Sequence, residues 1–188
     1  MEGVHTQLRK FEEYAYVLDF KSRGHSSTVR GRIGIIVTAI GEDRLTLLEI
    51  LGLENSTFEV GERIYIGKEG RTKVQSVLGK IDYVKLSDSA QSEIPGVVES
   101  IIIKNEKRFV DYLNNAQSLT PRIHALELIP GIGKTYMHVI IQEREKKPFE
   151  SFSDIENRTG LKEPIRHISK RILEEISGET RMNLFVKR

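Results

Sequence analysis

The sequence predicts an α+β protein of two domains: a small β-barrel over residues 1–86, then an all-helical domain over residues 87–188. Three observations carry this. Up to about residue 86 the apolar residues recur with a period near two, between glycine-bearing breaks; from Ser87 onward the spacing becomes helical. A length of 188 residues accommodates two small cores. A hydrophobic content of 38 % with 30 % charged residues lies well away from the composition of disordered chains.

In chain order, strands are expected near Tyr14–Phe20, Ile33–Ile40, Arg44–Ile50, Arg63–Ile66 and Lys73–Leu86, the last bent at Gly79. GEDR (41–44) and GKEGR (67–71) read as hairpin turns. Strands this short hide both faces only by closing on themselves, so the expected fold is a closed barrel, OB-like or alternatively SH3-like. Beyond Ser87, Val98, Ile101 and Ile102 and then Phe109, Leu113 and Ala116 mark two helices, with Pro95 suited to a first turn. Thr120 as N-cap and Pro121 at the first helical position open a helix through Leu128.

The stretch IPGIGKTYMHVIIQERE (129–145) sets Pro130, Gly131 and Gly133 before the apolar stripe Met137, Ile140, Ile141. A turn this tight calls for backbone angles that glycine adopts cheaply, and two glycines leave the N–H groups uncovered. With the positive end of the following helix dipole, those donors suit a phosphate. Lys134 and Thr135 add a cation and a hydroxyl. A glycine-closed hairpin that only packs is the plainer alternative.

Residues 125–145, ALELIPGIGKTYMHVIIQERE, resemble the helix-hairpin-helix motif of nucleic-acid-binding proteins, and KPFESFSDIENRTGLKEPIRHISKRILEEI is similar to the linker and second unit of a tandem pair. The resemblance implies a first motif at 120–145, in which Gly131, Ile132, Gly133, Lys134 and Thr135 hold the backbone, and a degenerate second one at 153–177. There Ser153 caps a short helix to Thr159, Gly160-Leu161-Lys162 forms the turn, and Ile165, Ile168, Ile172 and Ile176 face inward. Lys162 stands where a glycine belongs, and Lys162 and Arg166 remain candidate phosphate contacts. The resemblance also implies a monovalent cation on the backbone carbonyls of Glu127, Ile129 and Ile132. YVKLSDSAQSEIPGVVESII, RFVDYLNNA and LTPRIHALELIPGIG further resemble an archaeal family known only as domain of unknown function 655. That resemblance implies a barrel followed by two such motifs in an archaeal cytoplasm. Through the ribosomal and RNA-modifying company its genes keep, it favours RNA, with ribosomal components as partners.

Net charge is only +2, with 29 basic against 27 acidic residues, so any nucleic-acid footprint must be local. KSRGHSSTVRGRIG (21–34) is one, bearing Lys21, Arg23, Arg30 and Arg32 with no acidic residue; its small residues Gly24, Ser26 and Ser27 predict a loop that orders on a phosphate backbone. A second runs over 162–171, with Lys162, Arg166, Lys170 and Arg171 against Glu163. Tyr14, Tyr16, Tyr65 and Tyr83 offer stacking surface or core. The absence of cysteine excludes disulfides, thiolate metal sites and cysteine nucleophiles. Neither a membrane span nor a signal-peptide core is legible, and the five histidines lack ligand spacing, so the expected protein is soluble and needs no metal ligated by side chains and no cofactor. The expected function is non-enzymatic nucleic-acid binding through the phosphate backbone, RNA before DNA, with no catalytic residue. A protein-interaction scaffold is the alternative, and a DNA glycosylase using Lys134 and Asp154 a remoter one.

Overall fold

The structure, a computed structural model, describes residues 11–21 and 27–187. By contacts the chain divides into two compact units, Met1–Glu93 with Phe185–Arg188, and Ile94–Leu184.

The first unit is a curled, antiparallel half-barrel. Strands β1 (Tyr14–Phe20), β2 (Ser27–Val29), β3 (Arg32–Gly41), β4 (Leu47–Gly52), β5 (Arg63–Tyr65) and β6 (Val74–Lys80) run in the order β5-β1-β3-β4-β6, with β2 paired to β3. Alternate residues supply one core: Ala15 and Val17 on β1, Ile35, Val37 and Ala39 on β3, Leu48 and Ile50 on β4, joined by Phe58 and Ile64. The expected closed circuit is absent among the described residues, since β5 and β6 stand at opposite ends of the ladder and no pairing joins them. GKEGR is therefore a turn without being a hairpin. It is closed instead by Arg71, whose guanidinium donates to the carbonyls of Ile66, Gly67 and Gln75. Register shifts at Val17/Asp19, Glu49/Ile50 and Leu51/Gly52 mark the bulges that curl the sheet.

The β3–β4 turn is organised by Glu12, a buried carboxylate that accepts the N–H groups of Asp43 and Arg44, both at 2.8 Å. Burial pushes its pKa up while those N–H groups pull it back, leaving it above the ordinary value. This turn delays β4 to Leu47, three residues after the expected start. Strand β6 ends at Lys80, and Tyr83–Lys85 form a 3-10 turn where the strand was expected to run to Leu86.

The basic stretch is a hairpin over its described part. Ser27↔Gly34, Thr28↔Ile33 and Val29↔Arg32 pair, and Arg30 (φ 51°) and Gly31 (φ 76°) form the two-residue turn whose twist requires positive φ at both positions. Over residues 27–34 this pairing stands where a loop was expected. Arg23, Gly24 and Ser26 lie outside the described residues.

The second unit carries α1 (Asp88–Lys104), which the two units share, then α2 (Glu106–Asn115), β7 (Ser118–Thr120), β8 (Ile123–His124), α3 (Lys134–Lys146), α4 (Phe152–Thr159) and α5 (Pro164–Ser177). Its core takes the expected stripes, Ile101, Ile102, Phe109, Leu113, Ile140, Ile168 and Ile172, each at most 1 % exposed; Ile165 is half-buried. Three expectations need correction. Pro95 sits inside α1, which starts seven residues earlier because the Ser87 hydroxyl accepts the Ala90 N–H at 3.1 Å. Residues 120–128 are not an α-helix: Thr120 Oγ1 accepts from Arg122 and Ile123, closing a two-residue turn between β7 and β8, and only Ala125–Leu128 coil, as a 3-10 turn. The cap of α4 is Ser151 rather than Ser153, accepting the Asp154 N–H at 3.0 Å.

Arg171, which the sequence assigns to a basic surface run, is buried. It pairs with the fully buried Glu175 at 3.0 Å and donates to the Met182 carbonyl at 2.6 Å, while Glu175 accepts the Leu184 N–H at 2.6 Å. Burial and then the charge of Glu175 push nearby Tyr112 up to about 12. Removing one partner strands the other in a dry interior, so Glu175→Ala is expected to cost about 3–5 kcal/mol by denaturant unfolding, while the apolar pair Arg171→Met with Glu175→Leu should recover most of it.

Candidate functional site

The turn after Leu128 is built from buried and bare positions in alternation. Ile129 and Ile132 are buried and their backbones join, the Ile132 N–H donating to the Ile129 carbonyl at 3.0 Å. Gly131, Gly133, Lys134 and Thr135 between and beyond them are exposed. Ile132, expected as a binding residue, thus offers the surface no side chain, and its N–H is already donated to Ile129.

The two glycines have different causes. Gly131 has φ +87°, and a Cβ there would lie 2.3 Å from the His167 ring. Gly133 is extended (φ −78°), caps α3, and has open space around it. The tight turn therefore demands glycine only at Gly131; at Gly133 the absence of a side chain leaves the start of α3 uncovered. That helix has no side-chain cap and no acidic residue in its first turn. Its first N–H groups carry the positive end of the dipole. Lys134 and Thr135 stand there without a side-chain partner among the described residues.

The 3-10 turn that leads in is fixed by reciprocal capping: the Leu126 N–H donates to His124 Nδ1 at 3.1 Å and Glu127 accepts the His124 N–H at 3.3 Å. Burial, and then the nearby Arg144, hold the His124 pKa below its ordinary value, which keeps Nδ1 free to accept. Arg144 in turn donates to the carbonyls of Leu113 and Ala116, both at 2.8 Å, tying α3 to α2.

The second turn lies behind the first. Gly160 (φ 75°) ends α4, Leu161 is buried, Lys162 is exposed, and Glu163 (φ 51°) leads into Pro164 at the start of α5. His167, one turn into α5, reaches the carbonyls of Pro130 and Lys162. Lys162 is unpaired among the described residues, and Arg166 meets only Glu163, at 3.5 Å, in a solvent-exposed pair. Asp154 accepts from the Glu150 N–H and from Arg158, each at 3.1 Å. Desolvation alone would raise its pKa, but those donors hold it below the ordinary value. Asp154 therefore anchors the loop into α4.

In the half-barrel unit, Arg30 and Arg32 are exposed on the β2–β3 hairpin, and Lys21 donates to Ser27 Oγ at 2.9 Å. Tyr16 is core: it donates to Glu42 at 2.8 Å, and burial and then that carboxylate push its pKa up to about 12. Arg63 binds Glu42 through two nitrogens and covers the Tyr14 ring at 3.5 Å, so that face of Tyr14 is taken, and Tyr65 meets Tyr14 edge-on. A cleft of about 640 Å³ opens among Phe11, Leu48, Tyr65, Val77, Lys68 and Lys80. Sequence reasoning missed it, along with Glu12 and the Arg171–Glu175 pair, because strand periodicity is blind to which polar residues turn inward. Among the described residues no group of three or more His, Asp or Glu side chains could hold a metal. The Ile129 carbonyl, one of the three expected around a monovalent cation, already accepts one hydrogen bond and keeps one lone pair.

Gly131→Ala meets both the positive φ and the His167 ring, and is expected to destabilise the protein by more than about 1 kcal/mol. Gly133→Ala should stay within about 1 kcal/mol. Thermal unfolding of the two variants in parallel checks this.

No helix among the described residues is long and apolar enough to cross a membrane. Compared with known proteins, residues 11–187 match the family described as "Protein of unknown function (DUF655)". An uncharacterized protein of Methanocaldococcus jannaschii is 43 % identical over 181 residues, covering 95 % of this chain and 82 % of that protein. The crystal structure of Af1531 from Archaeoglobus fulgidus, of the same family, superposes with a TM-score of 0.81 at 42 % identity over 94 % of this chain and all of that one. The chain belongs to the DUF655 family, with relatives in archaea.

Proposed function

We propose that this protein is a non-enzymatic nucleic-acid-binding protein that grips the phosphate backbone at the turn Pro130–Thr135, with RNA as the favoured ligand. In this reading the two units are domains, an OB-like half-barrel and a helical domain with two helix-hairpin-helix motifs. The first motif has shortened its leading helix to a 3-10 turn, and the second serves as a brace.

The carrying observation is the start of the 13-residue helix α3: a terminus with no side-chain cap and no first-turn acid, bared by Gly133 and flanked by Lys134 and Thr135, which are unpaired among the described residues. A phosphate supplies the negative charge and acceptor oxygens that this terminus lacks. Lys162 and Arg166 extend the basic surface on the adjoining turn, and Arg30, Arg32 and Lys21 offer further cations on the β2–β3 hairpin. Contacts of this kind fix position without reading bases, so sequence selectivity should be weak. The exposure of both glycines supports this reading over that of a protein-interaction scaffold. The engagement of Asp154 by Arg158 and the Glu150 N–H supports a structural role for it and favours the non-enzymatic reading over the glycosylase one.

Lys134→Ala should weaken binding to every sequence and reduce the slope of log affinity against log salt by about 0.7–0.9, the share of one phosphate contact. Its stability should stay within about 0.5 kcal/mol of the parent. Titrations of RNA and DNA across a salt series check this, and unchanged affinity and slope on both ligands would hand first place to the scaffold reading.

A further inference from the structure

The imidazole of His167 lies between the two turns of the helical unit. Its Nδ1 is 2.9 Å from the Pro130 carbonyl oxygen and its Nε2 is 3.0 Å from the Lys162 carbonyl oxygen. A carbonyl oxygen only accepts, so bonding both requires an N–H on each ring nitrogen, and the ring that carries both is the imidazolium cation. The ring also lies against Gly131, close enough that a Cβ there would come within 2.3 Å of Nδ1.

We propose that His167 is the positioning residue of the candidate phosphate site: as imidazolium it clamps the first turn to the second and sets a fixed positive charge behind Gly131, coupling phosphate binding to its own protonation. This rests on the reading of Pro130–Thr135 as a phosphate grip.

The surrounding charges favour an anionic ligand as the balancing partner. Pro130–Gly133 holds no titratable side chain, and Lys134 follows it. From the second turn come Lys162 and Glu163, from α4 Glu156, and from α5 itself Arg166, Lys170 and Arg171. Each carboxylate among them has another partner: Glu156 accepts the Glu163 N–H at 2.5 Å, and Glu163 pairs with Arg166. None is an ion-pair partner of the ring among the described residues. A phosphate at the first turn would supply the missing negative charge.

The test is a titration of an RNA duplex and a DNA duplex of the same sequence, each of about 20 base pairs, at fixed ionic strength between about pH 5.5 and 8.5. The parent protein, His167→Gln and Lys134→Ala are compared. The parent's affinity should fall about three- to tenfold as the pH rises through this range, and His167→Gln, uncharged throughout, should lack that share of the slope. Equal slopes in parent and His167→Gln, with Lys134→Ala still weakened, overturn the role of His167 and leave the phosphate site standing. An unweakened Lys134→Ala overturns the site itself. Should His167→Gln unfold, NMR of the ring protons of the parent decides: protons on both ring nitrogens protected from exchange with water support the clamp, and rapid exchange at either nitrogen overturns it.

Discussion

Helix α5 holds the second unit together through one polar stripe, and the requirement that buried polar groups find partners explains its form. His167, Arg171 and Glu175 recur four residues apart, so they stack on a single face. The first reaches the carbonyls of both turns, the second the Met182 carbonyl, and the third the Leu184 N–H. Each contact joins α5 to a segment with no regular ladder of its own. The apolar stripe of the same helix, Ile168, Ile172 and Ile176, buries area without choosing a register. The polar stripe chooses it, because a slip along the helix would strand Glu175 in an interior where it has no exposure at all.

The half-barrel unit solves the same problem with different residues. Glu12 receives the backbone of the β3–β4 turn, Glu42 joins Tyr16 to Arg63 across the strands, and Arg71 takes up three carbonyls where β5 and β6 fail to pair. Among the described residues no buried side-chain nitrogen or oxygen lacks a partner. The open edge of the ladder is thus compensated at the turn: what strand pairing would have satisfied at Gln75, a guanidinium satisfies instead.

How much of this is legible in the sequence follows from the range over which each signal acts. Periodicity acts over a few residues, and it places β1 at Tyr14–Phe20 and the buried stripes of α1, α2 and α5 correctly. Signals with two meanings fail. Thr120-Pro121 suits both a helix start and a β-turn, and the hydroxyl's bonds to the Arg122 and Ile123 N–H groups select the turn. Ser151 and Ser153 could each cap α4; the structure uses the earlier one. Long-range pairings leave no local trace. Nothing near Glu12 announces a turn some thirty residues on, and Arg171 looks like its solvated neighbours Lys170 and Arg166 until the four-residue step to Glu175 is seen to point inward. At the Pro130–Thr135 turn the bare, glycine-bearing chain before a helix is legible in adjacent residues, while the His167 ring that packs against Gly131 is not.

The two glycines of the turn, alike in sequence, therefore differ in physical cause. Gly131 is fixed by a partner 36 positions away in the chain, because the His167 ring occupies the place where a side chain would go. Gly133 meets no such neighbour: its angles suit any residue and its surroundings are empty, and its place as N-cap of α3 is one that glycine fills readily. The folded chain thus excludes any side chain at Gly131, whereas at Gly133 it would accept one, and the bare start of α3 follows from the residue chosen rather than from the geometry of the turn.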